Sequence, residues 1–369
     1  MAGRRARAFA AYVWHSGAPG AVIIRAVLAP LSALFGLIVA RRNARFDVRG
    51  ARGRVVPPVI PALSVGNLTV GGTGKTPVAS WFVGRLQAMG ASPALVLRGY
   101  GDDEWRVHGL LTPGVPVVVA ADRAMGLVTA RSKHSDCAVL DDAFQHRRVG
   151  RVSDVVLVSA DAWPAKVHLL PAGPFREPLT SLRRATAVVI TVKAASPGVV
   201  TAVRAAISRA APQVPIAVVR LAPDRIRLAA SLSVEARGPR PAGLVHDIGW
   251  LRGRAVLLVS AIADPAAFRA QMEAAGADVR HDAAFPDHHD FSAAEITALL
   301  AQAEPSITVL CTLKDAVKLV PLWPRAGAAL WYVSQTVVVE QGAEVLEQAV
   351  ARVLSARGAT VPTAGFGRP

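Results

Sequence analysis

Cysteine is nearly absent from this chain. Two residues, Cys137 and Cys311, stand far apart in apolar runs, with no metal-ligand spacing around either. That excludes a disulfide-stapled scaffold and a zinc frame, and points to two buried, reduced thiols in a cytosolic protein. Acidic residues are also few, 26 against 42 basic ones, for a formal net charge of +16. Such an excess favours acidic partners: anionic lipid, phosphorylated substrate or nucleic acid. Lysine is scarcer still. It stands only at 75, 133, 166, 193, 314 and 318, so 36 of the 42 basic residues are arginine. Where arginine is the default cation, each lysine draws suspicion of a specific role. There is no internal repeat and no low-complexity run. With 52% hydrophobic residues, the 369-residue chain can bury a sizeable core and is not a disordered one.

The N-terminus carries Arg4, Arg5 and Arg7, then an apolar stretch from about Ala21 to Ala40, interrupted by Arg25 and Pro30 and closed by Arg41 and Arg42. Its uncharged part, Ala26 to Ala40, is 15 residues, shorter than the roughly 20 needed to cross a bilayer. No small-residue cleavage site follows it, which argues against a signal peptide. Basic flanks around an apolar helix suit a segment lying in an anionic leaflet, so residues 1–45 are expected to form a membrane-associated helix.

From Val59 the pattern alternates between short β-branched runs and helical stretches. Strands are expected at 59–65, 94–97, 115–120, 137–140, 154–159, 186–192 and 215–221. Helices are expected at 76–89, 122–133 and 194–211. This rhythm predicts an α/β fold with a parallel sheet over 46–221. Residues 222–250 lose it, with Pro223, Gly238, Pro239, Pro241 and Gly243, and read as a linker that can hold short strands. A second, smaller α/β domain is expected over 251–357, with strands at 254–260, 306–311 and 330–334 and a last helix at about 343–355. Its helix ends are marked by Asp264-Pro265, by Gly276 and by a Ser292/Glu295 capping box. Residues 358–369 read as a tail.

The strongest chemical signal is Gly66-Asn67-Leu68-Thr69-Val70-Gly71-Gly72-Thr73-Gly74-Lys75-Thr76-Pro77, between an expected strand and an expected helix. Glycines there let backbone N–H groups close around phosphate oxygens, Lys75 can reach the β- and γ-phosphates, and Thr76 can bind Mg²⁺. Thr69 stands where the strict P-loop pattern has glycine. Thr69, Gly71, Gly72, Thr73, Gly74, Lys75 and Thr76 are therefore the nucleotide-binding candidates. A P-loop needs a carboxylate at a nearby strand end. The run Ala138-Val139-Leu140 ends in Asp141 and Asp142, and Asp161 is a weaker, single-acid competitor. Asp287-His288-His289-Asp290 forms a titratable cluster before the capped helix, suited to a general-base pair; with no third ligand nearby, a metal site is the weaker option. Thr312-Leu313-Lys314-Asp315 lacks the Asn-Lys-x-Asp order of a guanine-specific GTPase.

Together these segments resemble the tetraacyldisaccharide 4′-kinase family over about residues 20–350. The resemblance is carried by VGNLTVGGTGKTP at 65–77, RGYG at 98–101, DDAFQHRRV at 141–149, LPAGPFREP at 170–178, FPDHHDFS at 285–292 and TLKDAVK at 312–318. It implies a two-domain kinase at the cytoplasmic face of the inner membrane that uses ATP and Mg²⁺. The implied acceptor is the 4′-hydroxyl of a tetraacyl disaccharide 1-phosphate, giving lipid IVA for lipid A, with an anionic leaflet as surroundings and no nucleic acid or obligate protein partner. By resemblance, the base role falls on Asp103 with Asp102 as the alternative, support on His288 and Asp287, Mg²⁺ on Thr76, Asp141 and Asp142, and a site role on Glu177. The chain departs from the family pattern at Trp105, Ala143, Ser260–Pro265 and Leu313. A nucleotide-switch or assembly NTPase is the competing function. It would share the P-loop and strand-end acids but would need neither the Asp-His pair nor a membrane helix.

Overall fold

A computed structural model of the chain describes residues 2–47, 55–99, 103–232 and 245–358. Asp102, most of the expected linker's glycines and prolines, and residues 359–369 of the expected tail lie outside these. Two helices open the chain, α1 (Ala2–His15) and α2 (Pro19–Asp47). The expected alternation follows: β1 (Ala62–Asn67), α3 (Lys75–Ala88), β2 (Pro93–Leu97), α4 (Glu104–Leu111), β3 (Val117–Val119), α5 (Arg123–Ser132), β4 (Cys137–Asp141), β5 (Ser153–Ser159), β6 (Ala187–Val192), α6 (Pro197–Ala210) and β7 (Ile216–Leu228). After the short β8 (Val245–Asp247) come β9 (Ala255–Ser260), α7 (Pro265–Ala274), β10 (Asp278–Ala284), α8 (Ala293–Gln302), β11 (Thr308–Thr312), α9 (Leu313–Leu319), β12 (Leu330–Gln341) and α10 (Ala343–Ala356). Every residue of β1, β2, β4, β5 and β6 is buried, the signature of strands covered on both faces.

All strands belong to one sheet, in the order β10-β9-β11-β12-β7-β6-β5-β1-β4-β2-β3, with β8 paired to β7. Apart from the short β8, which runs antiparallel to β7, the pairing within each half is parallel; the halves meet where β7 and β12 run antiparallel. These two strands are long because each serves both halves. β7 leaves β6 at Arg220 and continues alongside the first part of β12, with Leu228 opposite Trp331. Residues 222–228, expected to open a linker, are therefore strand. Since β7 runs out of the first half and β12 out of the second, the carboxyl-terminal edges of the two half-sheets face each other. Ligands of parallel α/β sheets bind at those edges, so the antiparallel join creates a cleft with loops from both halves.

The domain boundary at 357 also shifts. Helix α10 returns to the first half: Val345, Leu346, Ala349, Val350 and Val353 are buried with Leu63, Val83, Val155 and Val219. Ser153 Oγ donates to the Ala349 carbonyl at 3.0 Å, and Arg85 pairs with Glu347 at 2.7 Å. The expected caps are present. Ser292 and Glu295 form the capping box, Asp264 caps α7, and Gly276 takes φ 90°.

Helix α2 runs 29 residues through Pro30 and Arg25, longer than its uncharged stretch, and is long and apolar enough to cross a membrane by length and composition. Its two faces differ. Ala21, Ser32, Val39 and Asn43 are buried against the protein, while Val27, Leu31, Leu34 and Ile38 are exposed. Ser32 both donates to the Leu169 carbonyl and accepts from the Ala172 N–H at 3.0 Å. Helix α1 packs against α2, and Arg25 closes the junction by donating to the Ser16 carbonyl at 2.9 Å. A face of four large aliphatic side chains left in water forgoes about 1.5–3 kcal/mol for each one fully buried, which makes α2 a candidate membrane-associating helix. Replacing Val27, Leu31, Leu34 and Ile38 together by serine is expected to move the protein from the membrane pellet to the soluble fraction. Sedimentation identical to wild type would show that anchoring lies elsewhere.

Candidate active site

The first wall of the cleft is the turn from β1 into α3. Gly71 and Gly74 hold φ 115° and 80°, values that L side chains rarely adopt, and a Cβ on Gly74 would collide with Leu221. No side chain caps α3, so its first N–H groups are left for a ligand, and a helix N-terminus with free N–H groups favours an anion. Thr191 Oγ1 donates to the Thr73 carbonyl at 3.0 Å and pins the loop from below. Residues Thr69 to Pro77 all line a cleft of about 740 Å³.

The second wall is the end of β4. Asp141 is buried. Its Oδ1 accepts the Asp142 N–H at 2.9 Å, and its Oδ2 lies 3.0 Å from His108 Nε2. Asp142 sits in the left-handed region at φ 48°, a strain that persists only where surroundings impose it. Arg176 Nη2 reaches Asp142 Oδ1 at 3.0 Å, with Lys75 Nζ at 3.9 Å from the same oxygen. Burial works to raise the Asp142 carboxyl, but the Lys75 and Arg176 cations outweigh it and hold it below the usual carboxylate range. Asp161, the competing strand-end acid, is spent on backbone: it accepts the N–H groups of Lys193, Ala194 and Ala195 at 2.7 Å each.

The start of α4 supplies the third wall. Asp103 is 4% exposed, and neither carboxylate oxygen has a hydrogen-bond partner. The nearest cations come from the second half: Lys318 Nζ at 3.6 Å and His288 Nδ1 at 3.9 Å from Oδ2. A buried carboxylate without a donor is costly and rare enough to call for a functional account. Glu104 beside it lines the cleft, and its pKa is raised to about 7 by burial and by the charges of Asp141 and Asp103.

The second half closes the cleft with Asp287, His288 and Lys314. His288 is held at φ 59°. Lys314 Nζ lies 2.8 Å from Asp287 Oδ1 and 3.1 Å from His288 Nε2. An ammonium can only donate, so Nε2 is the accepting nitrogen and Nδ1 carries the hydrogen toward Asp103. Burial first, then the Lys314 charge, lowers the His288 pKa below its usual value.

The cleft thus gathers every nucleotide-binding candidate with Asp141, Asp142, Asp287 and His288, while Asp103 lies buried just behind its lining, 3.9 Å from His288. Glu177 does not join them. It is fully buried behind the cleft, held by Arg42 at 3.2 Å, Arg184 at 3.0 Å and the Asn43 amide at 2.8 Å, where it fastens α2 to the core. Its neighbour Arg176 faces the cleft instead. Sequence reasoning gave no role to Arg176, Glu104, Lys193 or Lys318. The scarcity of lysine was the signal for the last two: Lys75, Lys193 and Lys314 line the cleft and Lys318 touches Asp103.

Among the described residues no group of three or more His, Cys, Asp or Glu side chains could hold a metal by itself. Mg²⁺ in phosphoryl-transfer sites asks for less: one or two carboxylates, with waters and phosphate oxygens completing the shell. Hard oxygen donors on Asp141, Asp142, Glu104 and Thr76 fit it, and the mutual repulsion of Glu104 and Asp141 is what a divalent cation relieves.

A strand, a glycine loop and an uncapped helix, with an acid-tipped parallel strand beside them, define a P-loop nucleotide-binding protein of the α/β class. The sequence profile of the tetraacyldisaccharide-1-P 4′-kinase family matches residues 24–355, and the chain belongs to that family. It is 37% identical to the tetraacyldisaccharide 4′-kinase of Anaeromyxobacter dehalogenans strain 2CP-C, over 92% of this chain and 94% of that one. It is 30% identical to that of Nitrobacter hamburgensis, over 83% and 86%. The fold is similar to the crystal structure of LpxK from Aquifex aeolicus in complex with ATP, with TM-score 0.65, 25% identity and coverage of 89% of this chain and 99% of that one. The sequence-based expectations of fold class and family are borne out.

Proposed function

We propose that this protein transfers the γ-phosphate of ATP to the 4′-hydroxyl of a tetraacyldisaccharide 1-phosphate, the step that yields lipid IVA in lipid A biosynthesis, at the cytoplasmic face of an anionic inner membrane. The carrying observation is a P-loop lining one cleft with Glu104 and His288, with the buried Asp103 carboxylate, which has no hydrogen-bond partner, directly behind them and 3.9 Å from His288 Nδ1.

In this reading the N–H groups of residues 71–76 and the Lys75 ammonium hold the β- and γ-phosphates. Asp103 accepts the proton of the acceptor hydroxyl as the phosphoryl group arrives, and His288, whose Nδ1–H points toward that carboxylate from 3.9 Å, would close on it to keep it oriented. Asp287 and Lys314 hold His288 in the required tautomer, and Lys318 balances the Asp103 charge from the other side. Arg176, tied to Asp142, offers further positive charge to the transferring group. Thr76, Asp141, Asp142 and Glu104 would hold Mg²⁺, which supplies charge neutralisation on the phosphates. Helix α2 would set the cleft beside the leaflet that holds the acceptor's acyl chains.

Incubation of the purified protein with γ-labelled ATP and the tetraacyldisaccharide 1-phosphate tests the reading. Label is expected on the lipid, with little ATP turnover in its absence. Steady ATP hydrolysis without lipid, and no labelled lipid, would instead favour a nucleotide-switch NTPase.

The pH dependence follows from the charges around His288, namely Lys314, Asp287, Asp103 and Lys318. The neutral imidazole is the working form. With its pKa below 6.5, the acid limb attributable to His288 is expected below that pH. Lys314→Met removes a cation that lowers the pKa, so the limb should move to higher pH, and activity should fall more at pH 6 than at pH 8. An unchanged profile shape, with activity reduced uniformly, would refute the Lys314–His288 coupling.

A further inference from the structure

His108 belongs to no part of the reaction described so far, yet it is fully buried, with its ring held at both nitrogens. Nε2 lies 3.0 Å from Asp141 Oδ2, and Nδ1 lies 3.3 Å from Ser80 Oγ. The three residues come from three different elements. Ser80 stands on α3, the helix that the phosphate loop opens into. Asp141 ends β4. His108 stands on α4, four residues after Glu104 and therefore on the same helical face. Its backbone carbonyl accepts the Thr112 hydroxyl at 2.8 Å, so the residue itself is fixed.

An ionised carboxylate can only accept, so Nε2 carries a hydrogen toward Asp141. Ser80 offers a hydroxyl to Nδ1. The Asp142 N–H already holds Oδ1 of Asp141 at 2.9 Å. With His108 on Oδ2, both oxygens are fixed and the carboxylate cannot rotate. We propose that His108 is a positioning residue: it locks the Asp141 carboxylate in the orientation that receives Mg²⁺, and it ties the helix carrying Asp103 and Glu104 to the phosphate-loop helix. Outer partners that orient a metal-binding side chain typically contribute about 10–100-fold in metal affinity or activity. The proposal rests on the reading of Asp141 as a metal-binding carboxylate, and the experiment separates the two.

The full chain in detergent is titrated with Mn²⁺ in the presence of a non-hydrolysable ATP analogue, and free Mn²⁺ is read by electron paramagnetic resonance. Analogue affinity is measured separately in EDTA. His108→Asn keeps an amide near Ser80 but is too short for Asp141. It is expected to weaken Mn²⁺ by about 10–100-fold while leaving analogue affinity in EDTA unchanged. His108→Gln extends an N–H donor to Asp141 and is expected to restore most of the loss. Wild-type Mn²⁺ affinity in a folded His108→Asn protein overturns the proposal, as does an equal loss of analogue affinity in EDTA, which would mark a merely structural role. If His108→Asn does not fold, Ser80→Ala decides. It frees the ring to turn away from Asp141 and should weaken Mn²⁺; wild-type affinity there overturns the proposal. Asp141→Ala is the control. Retained Mn²⁺ affinity in that variant would sink the reading of Asp141 and the proposal with it. Loss in Asp141→Ala without loss in the His108 or Ser80 variants would sink the role of His108 alone.

Discussion

Lys75→Ala is expected to lower phosphoryl transfer by at least about 10²–10³-fold, the range for deleting one preorganised donor from a site where charge develops. Lys75 follows directly on Gly74 of the loop, and its ammonium lies 3.9 Å from Asp142. The substitution removes the charge that stabilises the transferring phosphoryl group and leaves Arg176 as the remaining partner of Asp142. The fold should survive. The side chain lies in no apolar cluster, and Arg176 still pairs with Asp142 when it is removed. Thermal melting and labelled-lipid formation on the same preparation check both halves. Near-normal turnover in a protein melting like wild type would remove the phosphate-binding assignment.

Asp103→Ala and His288→Ala are each expected to lower kcat by about 10²–10⁴-fold, the usual contribution of a positioned general base. The double variant should lose little beyond the worse single one, because groups acting as a unit are not additive. ATP affinity should hold, since neither residue belongs to the phosphate loop. Stability supplies an independent reading. Asp103 is a buried carboxylate with no hydrogen-bond donor, its charge met by Lys318 at 3.6 Å and His288 at 3.9 Å, and burying a charge with so little compensation costs stability. Asp103→Ala should therefore melt at the same temperature as wild type or above it, the pattern of a residue kept for activity at the expense of stability. A marked drop in melting temperature together with the loss of rate would identify Asp103 as structural. Full activity in Asp103→Ala would move the base elsewhere, with Asp102 next to be tested.

Much of the first half was legible because its signals are local. A run such as Ala138-Val139-Leu140 closed by acids reads as a buried strand and its end. The Ser292/Glu295 box and Asp264-Pro265 read as helix starts, since caps satisfy N–H groups a few residues away. Two readings differ from the structure for a shared reason. The sequence beyond 221 looked like a linker because Pro223 and the later glycines break the pattern. The strand nevertheless continues to Leu228, held by pairing with β12 more than a hundred residues downstream. Glu177 looked like a site residue because its segment is chemically dense, but which of two adjacent side chains faces the cleft depends on what lies on either side. Arg176 faces Asp142, and Glu177 faces Arg42 and Asn43 of α2.

By itself the sequence determined the phosphate loop, the strand-end acids, the apolar basic-flanked N-terminus and the family, all of them short patterns whose physics operates over a few residues. The tertiary structure alone decided that one sheet joins both halves, that α10 folds back onto the first, and that Asp103 meets His288 and Lys318 from the other half. It also decided that His108, an unremarked residue in a short helix, touches Asp141. Each of these depends on which strands pair and which surfaces are buried together. That is settled by long-range packing and the exclusion of water, and local propensity does not record it.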